Sequence, residues 1–265
     1  MSTPIRVAVL GAAGRMGATT CAAIEAAPDL ELVARVEVGD DIAAVVRAAG
    51  VDVAVDFTVP AVTEANVHAL LDIGVHCVVG ATGWDEDACT RVAVHVDRVN
   101  AMRGAGHDGN QSQPPLGVLI APNFGLSAVL AMQFAAKAAR YFESVEVIEL
   151  HHPGKVDAPS GTARHTAAAI AAARAEVGLD PMPDATEAGW EARGLDVEGV
   201  RVHAVRLRGL VAHEEILFGN PGEQLTIRQD SFDRVSFMPG VLLAVRQIAN
   251  HPGLTVGLEH LLGLD

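Results

Sequence analysis

The first half of the chain alternates short apolar runs with alanine-rich segments of helical periodicity. The apolar runs are rich in valine, isoleucine and leucine, as buried parallel strands are, and they cover residues 5–10, 30–36, 51–57, 75–79 and 117–121. Between them, apolar residues recur three and four positions apart, which predicts helices at residues 16–27, 42–49, 61–73 and 85–99. This alternation predicts a Rossmann-like, doubly wound α/β domain with a parallel sheet and right-handed crossovers.

The pattern changes after residue 125. A long apolar helix is predicted at residues 126–142, a strand at 144–150 and an alanine-rich helix from residue 160 to 173. Strands follow at 200–207, 213–218 and 224–229, with no helices between these three. This spacing predicts a second, α+β domain with an open mixed or mostly antiparallel sheet. A helix predicted at 238–249 and a short apolar segment at 254–264 would rejoin the first domain. We therefore expect one domain of residues 1–125 and 236–265, and another of residues 126–235.

One segment of the first half fits neither strand nor helix. Residues 101–116 are rich in glycine, proline and polar side chains. Such a composition is typical of surface loops. We expect a mobile loop inserted just before the fifth strand.

Composition and charge exclude several classes of protein. Half of the 265 residues are hydrophobic and the mean hydropathy is +0.28, so the chain can bury one large core or two modest ones. The net charge of −14 has the wrong sign for a nucleic-acid partner. No apolar run approaches the roughly 20 residues of a membrane span, so we expect a soluble, cytoplasmic protein without a membrane partner. Cys21, Cys77 and Cys89 lack paired spacing, which indicates reduced thiols.

A glycine-rich motif joins the first predicted strand to the first helix. Gly11, Gly14 and Gly17 are spaced so that backbone N–H groups can approach a pyrophosphate at a helix N-terminus. Glu37 follows Gly17 by 37 − 17 = 20 residues, where a carboxylate can hold ribose hydroxyls. Residues 38–41, directly after Glu37, contain no arginine or lysine that could bind a ribose phosphate, so the sequence favours NADH. Arg15 is the nearby cation that would accommodate NADPH. The alternative is that the glycines only allow close packing.

The densest polar cluster spans residues 149–163. It contains His151, His152 and Lys155, and Lys155 is one of two lysines in a chain with 17 arginines. Pro153 and Gly154 forbid a helix there, so we expect His151 and Lys155 to be presented from a loop after a strand. An imidazole can deliver a proton near neutral pH, and the predicted helix that begins at residues 160–162 can bind a carboxylate. The cluster indicates reduction of a small carboxylated carbonyl or imine, and its spacing indicates no metal site.

The two motifs together resemble the dihydrodipicolinate reductase (4-hydroxy-tetrahydrodipicolinate reductase) family. The resemblance is carried by GAAGRMG at residues 11–17 and ELHHPGKVDAPSGTA at 149–163, and it extends through residues 80–83, 121–124 and 234–240. It implies reduction of 4-hydroxy-tetrahydrodipicolinate to tetrahydrodipicolinate with NADH or NADPH, in lysine and diaminopimelate biosynthesis. It also implies a homotetramer whose domains close when both ligands bind.

The resemblance also implies roles for individual residues. His151 would be the general acid, and Lys155 would stabilise the reacting nitrogen and bind substrate. The other substrate-binding residues would be His152, Ser160, Gly161 and Thr162. The cofactor site would comprise Gly11, Ala12, Ala13, Gly14, Arg15, Met16, Glu37, Gly80, Ala81, Thr82, Ala121, Pro122, Asn123 and Phe124. The first domain would then bind the dinucleotide, and the second would bind substrate and form the oligomer.

The sequence departs from the family pattern at two of these positions. Ala81 stands where a threonine is expected, and Gly154 stands where the family often has a basic residue. Two other functions also stay open from the residues alone. One is an NAD(P)-dependent oxidoreductase of a different amino or keto acid, and the other is a cofactor-sensing protein without catalysis. His151 and Lys155 argue against the second.

Overall fold

A computed structural model of the chain describes residues 3–105 and 112–264. The chain divides into two compact units, one comprising Met1–Phe124 and Phe237–Asp265 and the other Gly125–Ser236. Within the described residues, no helix is long and apolar enough to cross a membrane. The three cysteines are free thiols.

The strands and helices of the described residues follow one another in the order that the apolar pattern indicates. The strands are Ile5–Leu10 (β1), Leu30–Val36 (β2), Val53–Asp56 (β3), His76–Val79 (β4), Gly117–Ile120 (β5), Ser144–His151 (β6), Leu195–Val197 (β7), Val200–Arg206 (β8), Ala212–Asn220 (β9), Glu223–Ser231 (β10) and Gly253–Val256 (β11). The helices are Arg15–Ala26 (α1), Ile42–Ala49 (α2), Pro60–Asp72 (α3), Glu86–Ala105 (α4), Leu126–Ala139 (α5), Gly161–Glu176 (α6) and Met238–Gln247 (α7). Short 3-10 helices lie at Trp190–Arg193, Arg234–Phe237, Ile248–Asn250 and Leu258–Leu261.

The first unit is built on a six-stranded parallel sheet in the order β11-β5-β4-β3-β1-β2. Every residue of β3 and of β5 is buried, because helices cover both faces of the sheet. On one face Ala8, Leu10 and Ala54 pack against residues of α3 and α4. The predicted Rossmann-like, doubly wound parallel sheet is confirmed, and β11 adds a strand from the C-terminal segment.

The second unit contains a five-stranded mixed sheet in the order β10-β9-β6-β8-β7. The central strand β6 is antiparallel to β9 and parallel to β8. Its buried residues alternate, so Val145 and Val147 face a core that α5 and α6 cover. The chain must cross from the end of β6 to the start of β8, and α6 makes that crossover. The predicted second α+β domain with a mixed sheet is confirmed.

Three local predictions differ from the structure. The helix predicted at 85–99 continues to Ala105, so residues 101–105 of the predicted loop are helical. The Asn100 side chain bonds both the N–H and the carbonyl of Leu116, at 2.6 and 2.9 Å, and these distant bonds stabilise the extra turn. Residues 106–111 of that loop lie outside the described residues. The helix predicted at 126–142 ends at Ala139, and the short strand β7 was not predicted.

Candidate active site

The turn between β1 and α1 requires glycine at defined positions. Gly11 has a φ of +72°, a conformation that L side chains rarely adopt. A Cβ on Gly17 would lie 2.0 Å from the carbonyl oxygen of Gly11, so only glycine lets the helix pass this close to the turn. Gly14 caps α1 without a side chain, and Arg15 and Met16 form the first turn of the helix. The turn is therefore compact and presents its backbone at a helix N-terminus, as a pyrophosphate site requires.

Glu37 lies beside this turn, directly after β2. Its carboxylate accepts a hydrogen bond from the backbone N–H of Ala13, and its own N–H donates to Asp40 at 2.8 Å. A cavity of about 410 Å³ opens here. It is lined by Leu10, Gly11, Gly14, Val36, Glu37, Val38, Gly39, Asp40, Ile42, Phe57, Thr58, Val59, Val62 and Asn66. Apolar walls next to a carboxylate and a glycine turn fit the adenosine half of a dinucleotide.

The sequence analysis missed the wall of this cavity that follows β3. Asp56, which is 1% exposed, accepts hydrogen bonds from the Thr58 N–H and hydroxyl at 2.7 and 2.5 Å, from Thr63 at 3.0 Å and from Asn66 at 3.1 Å. These four bonds satisfy the buried carboxylate and hold the β3–α3 turn in one conformation. Thr58 and Asn66 line the cavity, so Asp56 positions them. The signal in the sequence is an aspartate that ends an otherwise apolar strand.

The remaining predicted cofactor loops follow β4 and β5. A Cβ on Gly80 would lie 2.2 Å from the ring of Phe57 and 3.0 Å from the ring of Phe124, and the two rings meet edge to face at 5.9 Å. Glycine at position 80 thus makes room for both aromatic rings. The structure brings both loops to the carboxyl edge of the sheet, the edge at which the glycine turn also lies, with β3 between them and that turn. The first loop contains Gly80, Ala81 and Thr82, and the second contains Ala121, Pro122, Asn123 and Phe124.

The predicted chemical cluster lies at the end of β6 in the second unit. His151 is the last residue of that strand, which corrects the prediction that it stands in a loop. Because side chains alternate along a strand, Glu149 and His151 point to the same face. The Nδ1 atom of His151 lies 2.5 Å from the Glu149 carboxylate. His152 and Lys155 follow in the turn after the strand.

Glu149 is fully buried and accepts four hydrogen bonds from three parts of the unit. The guanidinium of Arg206 donates to both carboxylate oxygens at 2.7 and 2.8 Å. His151 donates to Oε2, and the backbone N–H of Ser160 donates to Oε1 at 3.1 Å. Burial by itself raises the pKa of Glu149, but the bonds from Arg206 and His151 outweigh burial and hold the pKa below its ordinary value. Glu149 is therefore an anion at neutral pH.

This anion determines which nitrogen of His151 carries its fixed proton. An ionised carboxylate only accepts hydrogen bonds, so Nδ1 is the donor and Nε2 is the nitrogen that can take up and release a second proton. Burial lowers the pKa of His151, the Glu149 charge opposes that effect, and the charges of Lys155 and Arg206 reinforce it. The net pKa lies below the ordinary histidine value, so a protonated His151 is a ready proton donor.

Lys155 and the start of α6 are the part of the cluster that the sequence predicts to bind an anion. The Nζ atom of Lys155 donates to the Asp157 carboxylate at 2.7 Å, and this bond lowers the pKa of Asp157. Ser160 caps α6, since its hydroxyl accepts the N–H of Ala163 at 3.1 Å. Gly161 opens the helix, and a Cβ there would meet open space. His152 and Gly161 are exposed and Thr162 is half-buried, so a ligand carboxylate can reach this end of the helix.

Arg206 is the residue of this cluster that sequence reasoning missed. It lies 57 positions beyond Glu149 on the neighbouring strand β8, where it is the register partner of His151. It also donates to the backbone carbonyl of Asp157 at 2.7 Å, which ties the turn after β6 to the sheet. No local motif announces this pairing. Within the described residues, no group of three or more His, Cys, Asp or Glu side chains is arranged to hold a metal.

Comparison with known proteins agrees with both halves of the chain. The family model described as dihydrodipicolinate reductase, N-terminus, matches residues 5–103, and the model described as dihydrodipicolinate reductase, C-terminus, matches residues 127–262. The chain belongs to the dihydrodipicolinate reductase family. The family that the two sequence motifs predict is therefore confirmed. The first unit is a Rossmann-type nucleotide-binding domain of an oxidoreductase.

Individual relatives match the whole chain. A protein of Beutenbergia cavernae named 4-hydroxy-tetrahydrodipicolinate reductase is 67% identical over 98% of this chain and 99% of its own length. One of the same name from Nocardia farcinica is 56% identical over the same shares. The solved structure of a dipicolinate-bound dihydrodipicolinate reductase from Paenisporosarcina sp. TG-14 has a TM-score of 0.84 at 33% identity, covering 98% of this chain and 100% of that one. A probable dehydrogenase from Thermotoga maritima, at 12% identity and a TM-score of 0.58, covers 97% of this chain and 92% of its own and shares the fold alone.

The Glu149–Arg206 pair predicts a stability effect that a surface pair does not have. Replacing Arg206 by methionine leaves a buried carboxylate without its cation, which we expect to cost about 3–5 kcal/mol of unfolding free energy at neutral pH. Because the folded-state pKa of Glu149 is lowered, its contribution exists above the unfolded carboxyl pKa and is lost as the pH falls through the folded value. The loss measured by urea unfolding should therefore shrink toward acid pH.

Arg246 provides the matched control. It makes the same two-pronged contact with Asp29, at 2.7 and 2.8 Å, but both side chains are over a third exposed. We expect Arg246→Met to cost at most about 1 kcal/mol. Equal losses in the two variants would contradict the role assigned to Glu149 burial.

Proposed function

We propose that this reductase converts 4-hydroxy-tetrahydrodipicolinate to tetrahydrodipicolinate in lysine and diaminopimelate biosynthesis. The observation that carries the proposal is the arrangement of Glu149, Arg206 and His151 beside an exposed helix N-terminus, in a chain of this family. The relatives that match the full chain bear that enzyme name, and the solved relative was bound to dipicolinate. The cytoplasmic location expected from the sequence stays a prediction.

The first unit would bind the nicotinamide cofactor through the residues predicted from the sequence. Backbone N–H groups of the turn at residues 11–16 would contact the pyrophosphate, and Glu37 would accept hydrogen bonds from the adenosine ribose. NADH or NADPH, when bound, supplies a hydride. Glu37 and Asp40 both line the cavity, and Asp40 accepts the Glu37 N–H, so a ribose 2′-phosphate bound there would meet negative charge. Because of this negative charge we expect NADH to be used faster than NADPH, although Arg15 at the turn would let NADPH bind.

The second unit would bind the dicarboxylate and deliver a proton. A substrate carboxylate would bind at the start of α6, where it would be surrounded by Lys155, His152, Ser160, Gly161 and Thr162. It must compete there with the Asp157 carboxylate for the Lys155 ammonium. The 4-hydroxyl of the substrate would leave as water, the nicotinamide would supply the hydride and His151 would supply its Nε2 proton, so that the reduction balances; Glu149 meanwhile would hold the Nδ1 proton and the orientation of the ring. Arg206 keeps Glu149 ionised, so the ring cannot exchange the roles of its nitrogens.

A coupled assay tests this function. Substrate is generated in place from pyruvate and aspartate semialdehyde by the pathway synthase, and loss of nicotinamide absorbance is followed with NADH and then with NADPH. We expect rapid oxidation that depends on the synthase, with the NADH rate the higher of the two. Binding of both cofactors without oxidation of either would refute the substrate assignment and support the cofactor-sensing alternative.

The two lysines supply a matched pair of variants for the same assay. Lys155→Ala should lose far more turnover than Lys137→Ala, since Lys137 is exposed on α5, away from the cluster. Equal losses in the two lysine variants would rule out the role given to Lys155.

His151→Gln should lower kcat by about 10²–10⁴-fold in the same assay, the usual contribution of a general acid.

We also infer that the second unit forms a homotetramer, as the family resemblance implies. Helices cover one face of its sheet, whereas Ile148, Leu150 and Leu217 lie half-buried on the other face. Charged pairs such as Glu215 with Arg228 share this face with the apolar residues, so the support for the tetramer is the family resemblance together with a partly exposed sheet face. Light scattering should give a mass of four chains of 27.5 kDa each, and a monomer mass at micromolar concentration would contradict the inference.

A further inference from the structure

A second carboxyl group is buried next to Glu149. Glu214, on β9, is 3% exposed, and its register partner across the antiparallel pair is Glu149 itself. Residues directly opposite each other in such a pair point to the same face. Two buried glutamate side chains therefore lie next to each other on the core face of the sheet, Glu149 on β6 and Glu214 on β9.

The two glutamates have very different partners. Glu149 accepts two hydrogen bonds from the cation of Arg206 and two further hydrogen bonds, from His151 and from the Ser160 N–H. Glu214 accepts a hydrogen bond from the Thr166 hydroxyl at 2.8 Å, and the ion pairs found among residues 3–105 and 112–264 do not include it. A buried carboxyl without a cation is destabilised in its charged form.

Of the two strands that pair with β9, only β6 places titratable side chains next to Glu214. On β6 these groups are Glu149 and His151. On β10 the register partner of Glu214 is the neutral Gln229. The neighbours of Glu214 along its own strand, His213 and Glu215, point to the opposite face of the sheet.

The helices that pack on this face bring no further charge to it. The residue of α6 that contacts Glu214 is the neutral Thr166, while Arg164 and His165 on the same helix are exposed. The buried cation of α6, Arg174, lies about two turns further along the helix, where it donates to the backbone carbonyls of residues 142, 143 and 180. Lys137, the titratable residue of α5, is exposed as well. Burial, joined by the negative charge of Glu149, raises the pKa of Glu214 to about 7. Glu214 thus changes its charge in the pH range in which a histidine acid operates.

We propose that Glu214 is a positioning residue that stores a proton beside the Glu149–His151 pair and couples the charge of His151 to its own. While Glu214 is neutral, His151 interacts with one carboxylate. When Glu214 gives up its proton, a second negative charge lies next to Glu149 and favours the imidazolium form of His151. Some molecules then keep the His151 proton above neutral pH. This inference relies on the proposed function, in which His151 is the acid.

The coupling predicts a titration curve of a specific shape. In the wild type, the imidazole signal of His151, followed by NMR without ligand, should show a main inflection at acid pH and an upper one that coincides with the titration of a carbon-13-labelled glutamate carboxyl near pH 7. In Glu214→Gln the upper inflection and that glutamate signal should both be absent. Absence of a glutamate that titrates near neutral pH in the wild type would overturn the proposal, whatever the variant does.

Kinetics separate this role from a structural one. Glu214→Gln should leave kcat/KM within about twofold at pH 5.5 and lower it about three- to tenfold at pH 8, the change that a coupling of half a unit to one pH unit produces. A structural role alone would lower kcat/KM equally at both pH values and would overturn the proposal. Glu176→Gln is the matched control, because Glu176 lies on α6 in an exposed pair with Arg140, and we expect no change at either pH.

A second variant keeps the proposal testable if Glu214→Gln does not fold. Thr166→Val removes the hydrogen bond that lowers the pKa of Glu214, so the upper His151 inflection should move to higher pH. An unmoved inflection would overturn the coupling. A wild-type protein with the upper inflection but no reductase activity would refute the proposed function, whereas an active protein with a single inflection would refute the further inference.

Discussion

The burial of the Glu149 carboxylate is the constraint on which the second unit depends. A buried anion is tolerated only where donors surround it, and the donors here come from β6, from β8 and from Ser160, the residue that caps α6. The same four bonds that satisfy the charge therefore join two strands and a helix. Packing of the unit and orientation of His151 are consequences of one interaction, so neither can change without the other.

The first unit uses a related device at its own site. Asp56 ends β3 as a buried carboxylate, and its four bonds all come from the turn and first helical turns that follow it. There the carboxylate organises a cavity wall and makes none of the ligand contacts that we propose for this unit. In the second unit the carboxylate also holds a titrating side chain. The two units thus share a buried acid at or near a strand end, and in the second unit that acid also contacts a histidine.

The local elements and the two motifs could be predicted because their signals are local. Continuous apolar runs indicate strands buried on both faces, and Gly17 follows Gly11 at a spacing that the close contact with the Gly11 carbonyl explains. The partners of the buried acids could not be predicted in the same way. Arg206 contacts Glu149 only because β6 and β8 pair in parallel in one register. Helix α4 is extended by the hydrogen bonds between Asn100 and Leu116. Both interactions arise from tertiary packing, which the local sequence does not show.

The most direct test of the account is the tautomer of His151 in the wild-type protein. Nitrogen-15 NMR of the imidazole distinguishes a protonated nitrogen from an unprotonated one above the titration of the ring. If the buried Glu149 anion orients the catalytic acid, the neutral ring will carry its proton on Nδ1 and leave Nε2 unprotonated. A neutral ring protonated on Nε2 would contradict the account, because Glu149 would then not be the acceptor that positions His151.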